Sequence, residues 1–231
     1  MIAPPSVEGA EIVASYRPAS SYAEIGGDWY DALRLPDGTV TLTIGDIAGH
    51  DLRAATAMSR LHNMLRGMVY DRTPHEDPAQ ILGRLDEVAQ GLDIAPLVTI
   101  IHAALRRDRP GRWHAVLCNA GHPPPLLIPA SSPPRYLHTP GEPDPPLCVA
   151  PGLARRDWPT ELGTGDTLLF YTDGLVEVPG TDITDGLERL AGRVGSPHAR
   201  SLPLADLIED VLTLPDVPSD DIAVIGFRAT S

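Results

Sequence analysis

Lysine is absent. All 18 basic residues of the 231-residue chain are arginine, and 31 acidic residues oppose them for a net charge of −13. A surface with that balance repels phosphate backbones, which argues against an electrostatic nucleic-acid binder. Cysteine is nearly absent as well. Cys118 and Cys148 cannot build a disulfide framework and sit in no Cys-x-x-Cys or Cys/His spacing, so they read as reduced core residues and offer no thiolate metal site. No run of about 18 apolar residues occurs. Met1 to Ala14 has neither a basic start nor an apolar stretch, so the expectation is a cytoplasmic protein with no membrane segment.

The rest of the composition is ordinary. At 42% hydrophobic and 21% charged residues the chain can bury a core without staples, and its length predicts one domain over 1–231. The 25 prolines, about twice the usual share, are scattered. Their densest stretch, Pro123 to Pro151, predicts a long irregular connection.

Strands are expected over 11–17, 25–35 and 40–46, the last two joined by Pro36-Asp37-Gly38. In that turn Pro fixes φ and Gly takes positive φ, which predicts an antiparallel hairpin. The period then changes. Ala55, Met58, Leu61, Leu65 and Met68 recur every three to four residues, and Ile81, Leu85, Val88 and Leu92 do the same behind a proline in the first turn. These predict two helices, the second over 77–92, packed together. Further strands are expected over 97–105, 113–119, 125–128, 166–171 and 222–227, with short helices over 185–194 and 202–212. Strands grouped with strands and helices with helices predict an α+β layered fold.

Acidic residues stand at four strand ends: Asp28 in Gly-Gly-Asp-Trp-Tyr-Asp, Asp46 in Gly-Asp-Ile-Ala-Gly-His, Asp173 in Tyr-Thr-Asp-Gly, and Asp220-Asp221 before the last strand. Carboxylates gathered at strand ends repel one another, and divalent cations resolve that cost. Singly, each Asp-Gly pairing is an ordinary turn. Four of them point to a metal centre.

These motifs in this order, with Asn119-Ala120-Gly121-His122-Pro123-Pro124-Pro125 between them, resemble the bacterial SpoIIE-like branch of the metal-dependent type 2C protein phosphatases (PPM), over about residues 10–228. The resemblance implies a four-layer α-β-β-α sandwich of two antiparallel sheets flanked by helices. It also implies two divalent cations, Mn²⁺ or Mg²⁺, and hydrolysis of phosphoserine or phosphothreonine on a protein by a metal-activated water. Carried over, Asp46 bridges both ions, the Ile47 carbonyl adds an oxygen, and Asp28, Asp173 and Asp220 complete the ligands, with Asp221 as a supporting neighbour. An all-oxygen set suits Mn²⁺ or Mg²⁺ better than Zn²⁺.

The chain departs from the eukaryotic branch at Ala48, where those relatives carry His, and has no evident phosphate-binding Arg. His50 is the candidate general acid, because an imidazole titrates near working pH, against a helix-start or packing role. Asp51 reads as a helix cap. The Asn-Ala-Gly-His-Pro run is expected to shape a strand end. Of Trp29 and Tyr30, one should pack in the core and the other border the site or a partner surface. The six remaining histidines show no ligand spacing.

By the resemblance, the substrate is a phosphorylated regulator of the anti-anti-sigma type in a partner-switching pathway. Relatives carry a sensory domain of GAF or PAS type, so the expectation is either a stand-alone phosphatase or one whose regulatory domain is missing or on another chain, and homodimerisation is left open. They also couple the helix pair over 52–92 to metal binding. The competing expectations are a catalytically silent pseudophosphatase that only binds, and a module that merely stores a cation.

Overall fold

The computed structural model describes residues 3–18, 26–49, 52–71, 77–108, 111–138, 144–150, 152–178, 180–215 and 220–231. The strands are β1 (Ala10–Arg17), β2 (Trp29–Arg34), β3 (Val40–Ile47), β4 (Val98–Arg107), β5 (Trp113–Ala120), β6 (Leu126–Ile128), β7 (Arg135–Tyr136), β8 (Trp158–Leu162), β9 (Thr167–Tyr171) and β10 (Ile222–Ala229). The helices are α1 (Leu52–Tyr70), α2 (Pro78–Gly91), α3 (Ile183–Gly195), α4 (Pro197–Ser201) and α5 (Leu204–Leu212).

Two antiparallel five-stranded sheets form, in the orders β1-β10-β9-β6-β7 and β2-β3-β4-β5-β8. Alternating side chains divide the apolar residues of the strands between two faces. Leu42, Ile44, Trp113, Phe170, Ile225 and Phe227 meet between the sheets. There Trp113 and Phe227 stand edge to face with ring centroids 5.0 Å apart. The outer face of one sheet packs on α1 and α2 through Trp29, Ile47, Ile100, Leu61 and Leu85. The outer face of the other packs on α3 to α5 through Leu169, Val224, Leu190 and Ile208. The result is the four-layer α-β-β-α sandwich implied by the resemblance.

The helical stripes are shifted in detail. In α1 the buried residues are Ala54, Ala55, Ala57, Leu61, Leu65 and Val69, while Met58 and Met68 lie at the margin of the cluster. Small alanines let the helix lie close to the sheet, and the flexible methionines fill its border.

Strand β8 is not foreseen by periodicity. It is short and holds Pro159, yet it pairs antiparallel with β5 as the edge strand, where a missing N–H is tolerated. The proline-rich stretch over 123–151 contains β6 and β7, a short hairpin, besides irregular chain. A buried ion pair anchors the segment leading into β8: the Arg155 guanidinium donates to Asp86 Oδ2 on α2 at 2.6 Å and to the Pro145 carbonyl at 2.8 Å.

Candidate metal centre

Antiparallel pairing brings the four acidic motifs to one edge. Trp29 lies opposite Gly45, so the start of β2 sits beside the end of β3. Tyr171 lies opposite Val224, so the end of β9 sits beside the start of β10. Glycines allow the final approach. A Cβ on Gly27 would lie 2.2 Å from the Ile47 carbonyl oxygen and 3.0 Å from Asp46 Oδ1. One on Gly26 would overlap the Asp221 carboxylate, and one on Gly174 would lie 2.2 Å from the Asp221 carbonyl oxygen. A larger residue at any of the three would push the motifs apart.

The gathered charge is uncompensated. Asp28 is only 4% exposed, and its Oδ2 is buried with no hydrogen-bond partner. Burial pushes its carboxyl far above the usual carboxylate range, and the Asp46 charge pushes it further. Asp46 is raised by burial and by the charges of Asp220 and Asp221, while a hydrogen bond with the Asp28 carboxyl lowers it in part. Asp173 is pushed up to about 7 by burial, then by Asp46, Glu177 and Asp220. Buried carboxylates raised in this way are what a cation would neutralise.

The acidic pair divides its roles. Asp220 is exposed, whereas Asp221 is buried, and Tyr16 donates its hydroxyl proton to Asp221 Oδ2 at 2.5 Å. The Asp221 amide donates to Asp220 Oδ1 at 2.8 Å. Among the described residues no three His, Cys, Asp or Glu side chains gather tightly enough to hold one ion. The acids sense one another without forming a carboxylate cage.

The family model for stage II sporulation protein E (SpoIIE) matches residues 36–230. The chain belongs to the SpoIIE family. Phosphoserine phosphatase RsbP of Bacillus subtilis (strain 168) is 24% identical over 223 residues, covering 90% of this chain and 48% of RsbP. The RsbU and RsbW domains of Rv1364c from Mycobacterium tuberculosis superpose with a TM-score of 0.84 at 32% identity, covering 100% of this chain and 62% of that one. RsbX, solved in complex with magnesium, shares the fold at a TM-score of 0.73 and 14% identity, each chain fully covered. The chain thus spans about half the length of RsbP and under two thirds of the Mycobacterium protein.

Within this SpoIIE-family sandwich, the structure brings Asp28, Asp46, Ile47, Asp173, Asp220 and Asp221 to one edge, while His50 and Asp51 lie outside the described residues. His122 is structural. Its Nδ1 faces the Thr99 hydroxyl at 2.8 Å and its Nε2 faces the Tyr171 carbonyl at 3.0 Å, so Nε2 carries the proton and Nδ1 accepts. Burial lowers its pKa to about 3, which keeps the ring neutral. Asn119 closes the turn by bonding both the amide and the carbonyl of His122, with Gly121 at φ 70°. The Asn-Ala-Gly-His run therefore ties β4 and β5 to the end of β9, two residues before Asp173.

Of the aromatic pair in the first acidic motif, Trp29 is the one in the core, fully buried over Gly45, and Tyr30 is half-buried against the inter-sheet cluster. Asp31, which the strand-end pattern does not single out in the same hexapeptide, accepts two 2.7 Å bonds from the Arg66 guanidinium and faces His62 Nε2 at 3.1 Å, joining β2 to α1. The acidic hexapeptide followed by a helix with Arg and His four residues apart was the available signal. Among the described residues no helix is long and apolar enough to cross a membrane.

Proposed function

We propose that this SpoIIE-family chain is a Mn²⁺- or Mg²⁺-dependent protein serine/threonine phosphatase. The observation that carries this reading is the partnerless buried oxygen of Asp28 beside Asp46 and Asp173, three buried carboxyls at one sheet edge that are all raised above the usual carboxylate range. Asp28, Asp46, the Ile47 carbonyl, Asp173 and Asp220 would hold two ions, with Asp221 orienting Asp220 through their hydrogen bond. Bound there, the ion pair supplies an acidified water and positive charge for an in-line phosphoryl displacement.

The chain's own residues do the rest. The strand ends fix the carboxylates on both sheets, and the His122 tether holds the Tyr171-Thr172-Asp173 corner. Tyr16 holds Asp221 in place. His50 is proposed to protonate the leaving seryl oxygen. The substrate class is a phosphorylated anti-anti-sigma-type regulator, in line with the phosphoserine phosphatase RsbP, within a cytoplasmic partner-switching pathway.

The test is hydrolysis of p-nitrophenyl phosphate and a phosphoserine peptide with Mn²⁺, Mg²⁺ or EDTA, in wild type and Asp173→Asn. Metal-dependent turnover lost in the variant supports the reading. A folded wild type that binds Mn²⁺ by calorimetry and turns over neither substrate sinks it, in favour of a pseudophosphatase or a cation-storing module.

A further inference from the structure

The sheet that ends at the acidic edge carries a small recess at its other end. It encloses about 210 Å³ and is lined by Ile128 of β6, Thr167 of β9, Arg228 of β10, Ala199 and Arg200 of α4, and Leu207 of α5. Asp173 follows the end of β9 and Asp220 precedes the start of β10, whereas the recess sits at the start of β9 and the end of β10. Thr167 and Arg228 face each other there in the strand register. From Ile222 to Arg228 is six residues of extended chain, so about 20 Å of sheet separates the recess from the metal centre.

Two cations share this space. Arg228 is anchored by neutral acceptors only: its Nε donates to the Thr167 hydroxyl at 2.8 Å and its Nη1 to the Leu202 carbonyl at 2.7 Å. Burial lowers its pKa, and Glu11, opposite it on β1, offsets that in part. Arg200 is less satisfied still. Its Nε is buried with no hydrogen-bond partner. Among the described residues no carboxylate lines the recess. Asp166, next to Thr167, is already engaged, since its Oδ1 accepts from the Ala130 amide and its Oδ2 from the Gly163 amide, each at 2.8 Å. A buried donor without an acceptor, beside a second desolvated guanidinium, is the arrangement that an anion from outside completes.

We propose that this recess binds one phosphate-class oxyanion between the guanidinium groups of Arg200 and Arg228. The planar donor fork of arginine matches the oxygens of such an ion, and in a chain without lysine only arginine can supply the charge. The Thr167 hydroxyl accepts from Arg228 and keeps its own proton to donate to the ion. Cavities for larger ligands start at about 300 Å³. The recess therefore takes a single tetrahedral headgroup, either free orthophosphate or the phosphate of a monoester whose remainder stays outside. Bound there, the ion fastens α4 to β10. The site goes beyond the phosphatase reading, because it lies away from the metal centre and its test needs no turnover.

The experiment is calorimetry of the metal-free protein in EDTA with sodium phosphate and with glycerol 3-phosphate, at ionic strength held constant by NaCl so that general screening does not change. Wild type should bind phosphate saturably with a Kd of about 1 mM. Arg200→Gln should weaken that about tenfold, and Arg200→Lys, which keeps the charge without the fork, should fall between the two. Since the Arg200 guanidinium makes no hydrogen bond or ion pair among the described residues, Arg200→Gln should leave the phosphate-free urea midpoint where it is. In wild type, amide shifts on titration should centre on Gly165, Thr167 and Ala199 and spare Gly27 and Gly174, and hydrogen exchange in α4 should slow.

Equal affinity for the two ligands assigns the site to a monoester headgroup, and binding of orthophosphate alone assigns it to the free ion; either supports the proposal. No saturable binding below about 20 mM overturns it. So does a folded Arg200→Gln protein with the wild-type Kd, or shifts centred on Gly27 and Gly174. The phosphatase reading stands or falls separately, on turnover with Mn²⁺.

Discussion

Asp28 and Asp31 belong to one hexapeptide, flank the same strand start and are both buried, yet they are opposites. Asp31 meets a bidentate Arg66 and His62, and those partners hold its carboxyl down to about 2 despite the cost of burial. Asp28 meets Asp46 and Asp173, keeps an oxygen with no partner, and is pushed far up. The residue type is the same and both are buried, but the charges around them have opposite sign. A buried carboxylate that has found its cation within the chain is a structural joint. One set among other carboxylates is of the kind that a cation from outside would neutralise.

The largest effect that would sharpen this contrast is on turnover. Asp28→Asn should cut Mn²⁺-dependent hydrolysis by about 100-fold or more, since it removes charge where charge is to be neutralised. In EDTA the same variant should be more stable than wild type by about 1 kcal/mol, because a repulsion disappears. Urea titrations with and without Mn²⁺ read both signs. An Asp28→Asn protein less stable than wild type in EDTA would break the comparison.

Asp31→Ala should behave the other way. It strands a guanidinium and an imidazole that are each mostly buried, and should cost about 2 to 3 kcal/mol whether or not metal is present. A Mn²⁺-dependent penalty would mean that Asp31 belongs to the metal centre after all.

The pH dependence separates the two groups as well. Asp173, pushed up to about 7, and Asp28 and Asp46, also raised, bind protons in the folded state that the unfolded chain has released, so in EDTA stability should fall as pH rises from about 4 to 7. Asp31 contributes with the opposite sign. Its stabilisation is present above the unfolded value of about 4 and is lost as pH falls toward 2. A metal-free Tm that is flat or rising between pH 5 and 7.5 would contradict the first half, and Mn²⁺ should remove that slope.

The smallest effect concerns the tether. His122→Ala releases the Tyr171 carbonyl next to the Asp173 corner and should weaken Mn²⁺ affinity about tenfold, measured by calorimetry. Unchanged affinity with lowered stability would confine His122 to packing.

The sequence alone carried the layers, because two- and three-to-four-residue periods report which side of each element is buried. It also carried the four acidic motifs, because glycine-flanked aspartates at strand ends repeat in one chain. Strand β8 escaped it, since a proline inside a short strand is harmless only at an edge, and edges exist only once the sheet is built.

What only the tertiary structure decided is which acids have partners. Asp31 finds Arg66 35 residues away, His122 reaches Tyr171 across 49, and Tyr16 reaches Asp221 across 205. Electrostatic energy depends on distance in space, and spacing along the chain does not encode it. Local residue patterns thus determined that this chain folds as two sheets between helices and gathers aspartates at one edge. The packing of those sheets decided which aspartates are paired with a cation of the chain's own and which are left facing one another.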